Sequence, residues 1–278
     1  MQTPARTTLL TAAAMIGFAG NSLLCRAALR GGSIDAASFT AIRLATGAGV
    51  LAAIVLARGA RPRGEGTWRS AFALAGYAIA FSFAYLEIGA AVGALILFGS
   101  VQLTMIAGGL LRGEHPTPRQ WLGWFVAVAG LVTINAPGLD PPPLLGAVLM
   151  MLAGIAWGVY SLRGRTITRP LVATADNFLR CVPIAAGLVA IALALHAHAT
   201  PAGIALAAIS GGVASGLGYS LWYAALPSLG APRAAVVQLS VPVLTAAAAI
   251  ALLGEPLRTT IAIGGTAIVG GLALALRR

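Results

Sequence analysis

The sequence carries the same pattern twice, and this duplication constrains the fold more than any other feature. A Gly-Ala step begins an apolar stretch that ends in Gly-Glu, first over residues 89–116 and again over residues 230–256. The matching positions continue on both sides: 18–26 match 157–165, Arg43 matches Arg180, and Gly123 and Gly130 match Gly264 and Gly271. Membrane proteins built from two copies of one unit are most often transporters, with the binding site where the copies meet.

The composition places this duplicated chain in a membrane. Of its 278 residues, 59% are hydrophobic and only 9% are charged, far from the balance of a soluble domain. Ten apolar stretches are long enough, or nearly so, to cross about 30 Å of hydrocarbon at about 1.5 Å per residue. They cover residues 7–29, 36–57, 68–87, 90–111, 118–135, 143–162, 172–195, 201–226, 232–253 and 258–276.

The arginines indicate how these spans are oriented. The net charge is +11, and all 18 basic residues are arginine. If the N-terminus is cytoplasmic, most of the arginines fall on the cytoplasmic side of a ten-span chain, as the positive-inside rule requires. We therefore expect a multi-pass protein of the bacterial inner membrane with both termini in the cytoplasm. We expect no nucleic-acid partner, because the charge reports topology.

The number of spans in each half determines how the halves relate. Each half has five spans, an odd number, so the second copy enters the membrane from the opposite side to the first. The two copies are then related by a pseudo-two-fold axis in the membrane plane. The sequence thus predicts an all-α integral membrane fold of two inverted five-helix repeats, residues 1–138 and 139–278, around a central cavity. Exchange of conformations between the halves would open that cavity to each side in turn, which is alternating access.

Aromatic residues of the sixth and eighth spans are the first candidates for a binding site. Trp157 and Tyr160 are three residues apart, and Tyr219, Trp222 and Tyr223 are spaced i, i+3 and i+4, so each group lies on one helix face. Such stripes often serve helix packing alone, but these rings also carry polar atoms that need partners. An apolar cavity with a few hydrogen-bonding groups would suit a neutral zwitterion with a bulky side chain.

Polar side chains within the spans form the second group of candidates. Lipid cannot satisfy them, so they either bond to neighbouring helices, at on the order of 0.6 kcal/mol each, or line a wet cavity. Phe98 joins the group because it lies four residues before a glutamine and can present a ring to the same ligand. The polar candidates are Asn21, Ser82, Tyr85, Ser100, Gln102, Gln238 and Ser240.

Two arginines fall inside spans, where an unpaired cation costs roughly 2.5–3.5 kcal/mol on insertion scales. Asp176 lies four residues before Arg180, which predicts an ion pair on one helix face. Glu87, at the end of the third span, is a candidate partner for Arg43. The first interpretation of these pairs is structural bracing of each half. The alternatives are gating, in which a pair breaks as the halves move, and binding of a substrate carboxylate by Arg43.

A longer phrase resembles a known family. Residues 226–256 begin Leu-Pro-Ser-Leu-Gly-Ala-Pro-Arg and end Leu-Gly-Glu-Pro, and they resemble the ten-helix EamA branch of the drug/metabolite transporter superfamily. The aromatic residues of the sixth and eighth spans resemble, in addition, the YddG group of amino-acid exporters. The resemblance implies a basket-shaped bundle, a central substrate cavity and export of aromatic and other neutral amino acids. Pro242 falls in this phrase and is the best hinge candidate, whereas the aligned part of the fourth span reads Ser-Val-Gln.

Missing features narrow the function. The sequence has no carboxylate at the centre of a span, no histidine within a span and no lysine for a Walker-type phosphate loop, which disfavours a proton relay, an enzyme and ATP-driven transport. We expect a secondary transporter that exports amino acids and needs no metal or cofactor. Its partners would be the amino acid and the lipid bilayer, and a monomeric state is compatible with the sequence. The alternative is an exporter of another small metabolite or an amphipathic drug.

Overall fold

The computed structural model describes residues 3–88, 90–135, 143–194, 197–253 and 259–276. Within these ranges the chain is helical, and its β-type pairing is an isolated antiparallel bridge between Ile34 and Ala199. A π-helical segment of eight residues connects α8 to α9. The elements are α1 (Pro4–Arg30), α2 (Ala36–Ala57), α3 (Trp68–Glu87), α4 (Ala90–Leu110), α5 (Pro118–Asn135), α6 (Leu144–Gly164), α7 (Pro170–Ala194), α8 (Pro201–Ile209), the π segment (Ser210–Leu217), α9 (Gly218–Gln238), α10 (Ser240–Leu253) and α11 (Thr259–Leu276).

Short polar side chains mark where several helices begin. Each accepts a hydrogen bond from a backbone N–H of the first turn, which would otherwise lack a partner. These N-caps are Thr3 for α1, Asp35 for α2, Thr67 for α3 and Thr200 for α8. Helices α2, α3 and α8 thus begin where the corresponding apolar stretches of the sequence begin.

Six helical segments of the described chain are long and apolar enough to cross a membrane: Pro4–Leu29, Ala36–Ala57, Trp68–Glu87, Leu144–Gly164, Pro170–Ala194 and Pro201–Gln238. Two further apolar helices, Ile96–Leu110 and Ala262–Leu276, are shorter. Large apolar side chains face outward, as in Leu9, Ile16 and Leu103, which are 71%, 64% and 65% exposed. Such a surface, on helices whose backbone groups bond internally, suits lipid better than water.

The eighth and ninth spans differ from the prediction where they meet. The sequence predicts a break between residues 226 and 232, but α9 continues from Gly218 to Gln238 through a kink at Gly230, where φ is 71°. Glycine adopts this φ without a steric penalty. The ninth span is divided instead at Leu239, between α9 and α10. Pro242 contributes to that break, because it has no N–H to donate to the carbonyl of Gln238.

Helices α5 and α11 pack against each other through glycines that match in the two copies. A methyl group on Gly123 would overlap the carbonyl oxygen of Gly271, and one on Gly130 would overlap that of Gly264. Because Gly123 matches Gly264 and Gly130 matches Gly271, exchanging the copies turns one contact into the other. Reciprocal contacts of this kind are expected across a two-fold axis.

Contacts between loops fall into two groups, one at each end of the bundle. At one end, Glu114 after α4 forms an ion pair with Arg165 after α6. At the opposite end, the N–H of Thr200 before α8 donates to the carbonyl of Ser33 after α1 at 2.8 Å. We call the first the arginine-rich end, because the α2–α3, α4–α5 and α6–α7 loops bring their arginines there.

Candidate functional site

Aromatic side chains from five helices meet in the interior of the bundle. Ring centroids lie 4.6 Å apart for Trp157 with Tyr219 and for Tyr160 with Tyr223, and 5.1 Å apart for Phe18 with Trp157. Each ring is at most 8% exposed. The aromatic cluster consists of Phe18, Tyr77, Phe81, Trp157, Tyr160, Phe178, Tyr219, Trp222 and Tyr223. The structure therefore brings together the aromatic candidates of the sixth and eighth spans.

Indole N–H groups of the cluster bond across helices. Trp157 Nε1 donates to Gln238 Oε1 at 2.6 Å, and Trp222 Nε1 donates to Ser161 Oγ at 3.0 Å. Both bonds hold α6 against α9. The buried hydroxyl of Tyr160 has no hydrogen-bond partner among the described residues. Such a group needs water or a ligand to satisfy it.

Arg43 of α2 reaches into the cluster and is 1% exposed. Its Nε donates to Ser215 Oγ at 2.9 Å, and its Nη2 donates to the hydroxyl of Tyr219. Its guanidinium carbon lies 5.3 Å from the ring centroid of Tyr77 and 5.8 Å from that of Phe81, which is cation–π distance. Its Nη1 is buried and makes no hydrogen bond within the described structure.

The π segment positions the groups beside this arginine. Ser210 Oγ donates to Asn21 Oδ1 at 2.6 Å, and Ser215 Oγ does so at 3.4 Å. Gly211 allows α2 to approach closely, since a methyl group there would overlap the carbonyl oxygen of Arg43. π-Helical turns are rare and occur frequently at functional sites. The predicted candidate Asn21 thus belongs to the same site as the aromatic cluster.

A cavity of about 1120 Å³ lies between α1, α9, α10 and α11 at the arginine-rich end. Arg6 and Arg233 line it without an acidic residue among the described lining groups, and the candidate Ser240 lines it too. Met15 in the cavity wall lies one helical turn before Phe18 of the cluster, and Val237 in the wall directly precedes Gln238, the acceptor of Trp157. This cavity lies toward one end of the bundle, whereas the rings of the cluster pack against each other in the interior. The central cavity stays a prediction.

The candidates of the fourth span lie on α4. Gln102 Nε2 donates to the carbonyl of Ala235 at 2.6 Å, which ties α4 to α9, while its Oε1 has no partner among the described residues. Phe98 and Ser100 are buried, and Ser100 lies at the close contact of α4 with Gly154 of α6. A shared ligand for Phe98 and Gln102 stays a prediction.

The candidates on α3 lie at or beyond the margin of the cluster. Ser82 Oγ donates to the carbonyl of Ala78 in its own helix at 3.0 Å, and the ring of Tyr85 lies 4.8 Å from a ring of the cluster. Glu87 is exposed and makes no ion pair with Arg43 in the described structure. That predicted pair is wrong, because Arg43 is turned into the cluster, where hydroxyl groups accept from its Nε and Nη2.

The second predicted ion pair forms, at the arginine-rich end. Arg180 Nε lies 3.1 Å from Asp176 Oδ1. Asp176 Oδ2 also accepts from the backbone N–H groups of Gly64 and Gly66, both at 2.9 Å, and so holds the α2–α3 loop. Pro242 lies in the first turn of α10, directly after the break in the ninth span.

The sequence pattern does not single out several members of the site. Phe18 has a usable signal, since it matches Trp157 in the duplicated pattern and the two rings are in contact. Tyr77 and Phe81 are four residues apart on α3, a spacing that puts them on one face. Ser215 has no comparable signal, because its role depends on the π segment.

Comparison with known proteins identifies the family. The model of the EamA-like transporter family matches residues 6–136 and, a second time, residues 144–277. The chain therefore belongs to the EamA-like transporter family, and the resemblance to this branch of the drug/metabolite transporter superfamily is confirmed. It is accordingly a multi-pass membrane protein of a family that transports small molecules.

Individual relatives match over nearly the whole chain. It is 51% identical to the uncharacterized protein PA1977 of Pseudomonas aeruginosa over 274 residues, which are 98% of this chain and 94% of that protein. It is 29% identical to an uncharacterized transporter of Archaeoglobus fulgidus over 97% of this chain and 96% of that protein. The chain also superposes on a protein of known crystal structure, to which it is 20% identical in sequence. The TM-score is 0.83, and the superposition covers 99% of this chain and 98% of that chain. This last likeness concerns the fold alone.

Proposed function

We propose that this chain is a secondary transporter that exports amino acids, both aromatic and other neutral ones, across the bacterial inner membrane by alternating access. The observation that carries the proposal is a buried cluster of rings, amides, hydroxyls and one guanidinium, together with a cavity whose wall contains Met15 and Val237, which are near neighbours of Phe18 and Gln238 in the chain. These groups match a small zwitterion: rings for its side chain, and charged or hydrogen-bonding groups for its ends. The resemblance to the YddG group supports the same substrates.

The two-copy organisation supports the mechanism. We propose ten spans in two inverted five-helix repeats, residues 1–138 and 139–278. Two observations favour this arrangement: the family model matches each half separately, and the α5–α11 glycine contacts are reciprocal. The positive-inside rule assigns the arginine-rich end to the cytoplasm. The cavity then opens toward the cytoplasm, the state in which an exporter takes up its substrate, and both termini are cytoplasmic.

Substrate contact is proposed for the candidates within the cluster, for Ser240 in the cavity wall and for the remaining candidates on α1, α3, α4 and α9. Rocking of the two halves would separate rings that now touch and admit the substrate between them. The proposed binding residues are Asn21, Ser82, Tyr85, Phe98, Ser100, Gln102, Trp157, Tyr160, Tyr219, Trp222, Tyr223, Gln238 and Ser240. In this mechanism Pro242 provides the bending point, next to the break at Leu239.

A second substrate class is favoured by the lining of the cavity. Apolar side chains such as Ile16, Leu244 and Leu272 share its wall with Arg6 and Arg233. A wall of this kind also suits an amphipathic metabolite or drug with an anionic group. Competition between such solutes and labelled phenylalanine separates the two candidates.

The proposal is tested with purified protein in liposomes. Vesicles loaded with labelled Phe, Thr or Met should release them down the gradient faster than protein-free vesicles. Trp157→Phe removes the indole N–H at the centre of the cluster but keeps an aromatic ring, and should slow release roughly 5- to 10-fold, as expected for one lost hydrogen bond.

The same substitution away from the cluster is the control. Trp121→Phe changes a half-buried ring on α5 that packs against Trp124 and should leave the rate unchanged. Absence of flux for every amino acid would refute the proposed substrate class. Equal effects of the two substitutions would remove the cluster from the transport path.

A further inference from the structure

Arg43 carries a positive charge in the interior of the bundle, and its partners among the described residues are neutral. Hydroxyl groups of Ser215 and Tyr219 accept from two of its nitrogens, the rings of Tyr77 and Phe81 face its guanidinium, and the hydroxyl of Tyr77 lies nearby. Its third nitrogen, Nη1, is buried and has no hydrogen-bond partner in the described structure. A buried guanidinium ordinarily has a carboxylate or another anion to pair with.

The described acidic residues are all placed elsewhere. Five of the seven acidic residues lie in the described ranges, and Asp140 and Glu255 lie outside them. None of the five contacts Arg43, and each has a place of its own. Asp35 caps α2, Glu65 pairs with Arg169, Glu87 is exposed, Glu114 pairs with Arg165, and Asp176 pairs with Arg180.

The surroundings of Arg43 are linked to the cavity wall through α1. Met15 lines the cavity, Phe18 follows one turn later on α1, and the ring of Phe18 lies 5.6 Å from that of Tyr219. The hydroxyl of Tyr219 in turn accepts from Arg43. A solute that passes Phe18 therefore meets a guanidinium whose anion position is unfilled.

We propose that Arg43 is the anchor for the carboxylate of the transported substrate and that Nη1 is the donor reserved for it. This inference rests on the proposed function, because it names the part of an amino acid that the site recognises. A guanidinium N–H donates to a carboxylate in a charge-assisted hydrogen bond, which is stronger than one between neutral groups. Substrate binding would thus supply the counter-charge that the described residues do not, and Phe18 would separate the empty anchor from the cavity.

The test compares competitors that lack either the carboxylate or the amine of phenylalanine. Exchange of labelled phenylalanine is measured in liposomes against unlabelled phenylalanine, phenylalaninamide, phenethylamine and 3-phenylpropionate. The two compounds without a carboxylate should compete roughly 30-fold more weakly than phenylalanine, as expected for a lost charge-assisted hydrogen bond. 3-Phenylpropionate, which lacks only the amine, should compete within about tenfold of phenylalanine. Equal competition by phenylalaninamide and phenylalanine in the unmodified protein would overturn the inference.

Variants then assign the discrimination to a residue. Arg43→Gln should abolish the difference in competition between phenylalanine and phenylalaninamide. Arg43→Lys keeps the charge but not the planar guanidinium, and should reduce that difference. The lysine variant also provides the test if Arg43→Gln does not fold. Arg180→Gln and Arg233→Gln should preserve it. If Arg233→Gln loses the discrimination between phenylalanine and phenylalaninamide while both Arg43 variants keep it, the carboxylate binds in the cavity and the assignment to Arg43 is overturned. Amino-acid flux without carboxylate discrimination refutes this inference alone, whereas no flux refutes the proposed function and this inference with it.

Discussion

Arg43 and Arg180 hold matching places in the two copies of the sequence pattern, but their surroundings differ. The side chain of Arg180 is 27% exposed at the arginine-rich end, where it pairs with Asp176 and lies 5.3 Å from the ring centroid of Trp68. Arg43 is 1% exposed inside the aromatic cluster, and its hydrogen-bond acceptors are hydroxyl groups. The fold supplies a carboxylate to one arginine, while none of the described residues supplies one to the other.

One position explains much of this difference. Asp176 precedes Arg180 by one helical turn, whereas Phe39 precedes Arg43 at the same spacing. A carboxylate on the same helix face holds Arg180 locally. Phe39 is fully buried and offers no acceptor, so Arg43 extends across to the π segment and α9. A duplicated chain can thus use one copy of a residue for its framework and keep the other available for a ligand.

The largest effect on stability is expected at the framework arginine. Asp176→Ala should lower the free energy of unfolding by about 3 kcal/mol, because the guanidinium of Arg180 and the backbone N–H groups of Gly64 and Gly66 lose the nearly buried carboxylate that accepts from all three. This loss in the free energy of unfolding is measured by SDS titration of the purified protein in mixed micelles. The control is Glu65→Ala, whose partner Arg169 is 55% exposed at 3.9 Å, with an expected loss under about 1 kcal/mol. Equal losses would contradict a bracing role for Asp176.

A smaller loss is expected at the interior arginine. Tyr219→Phe removes the hydroxyl that accepts from Arg43 Nη2 and leaves two of its nitrogens without a partner. The free energy of unfolding should fall by about 2 kcal/mol, the range for a hydrogen bond to a charged group. Tyr85→Phe, at the margin of the cluster, should change it by less than about 0.5 kcal/mol. If Tyr219→Phe leaves the free energy of unfolding unchanged, the rings alone hold Arg43.

Local features of this comparison could be predicted from the sequence. The pair of Asp176 with Arg180 follows from a spacing of four residues, and the shared faces of Trp157 with Tyr160 and of the α9 aromatic residues follow in the same way. The family could be predicted too, because the residues that resemble it, 226–256, form one continuous segment of the sequence. All of these depend on residues that are close in the sequence.

The surroundings of Arg43 could not be predicted in that way. Its acceptors Ser215 and Tyr219 lie 172 and 176 residues further along the chain, and they reach it through a π segment that apolar periodicity does not signal. Glu87, the partner that the sequence suggested for Arg43, is exposed instead. The position of the cavity at the arginine-rich end could not be predicted either, since its wall combines residues of α1, α9, α10 and α11 that are far apart in the sequence.

The smallest expected effect separates bracing from gating at Arg180. Arg180→Lys keeps the charge but loses the second hydrogen bond to Asp176 and the planar contact with Trp68. The free energy of unfolding should fall by about 0.5–1 kcal/mol, and the rate of amino-acid release from liposomes should not change. A release rate reduced fivefold or more at unchanged stability would mean that this pair breaks and re-forms during transport. The two arginines would then both take part in function, and the contrast between a framework copy and a ligand-binding copy would be lost.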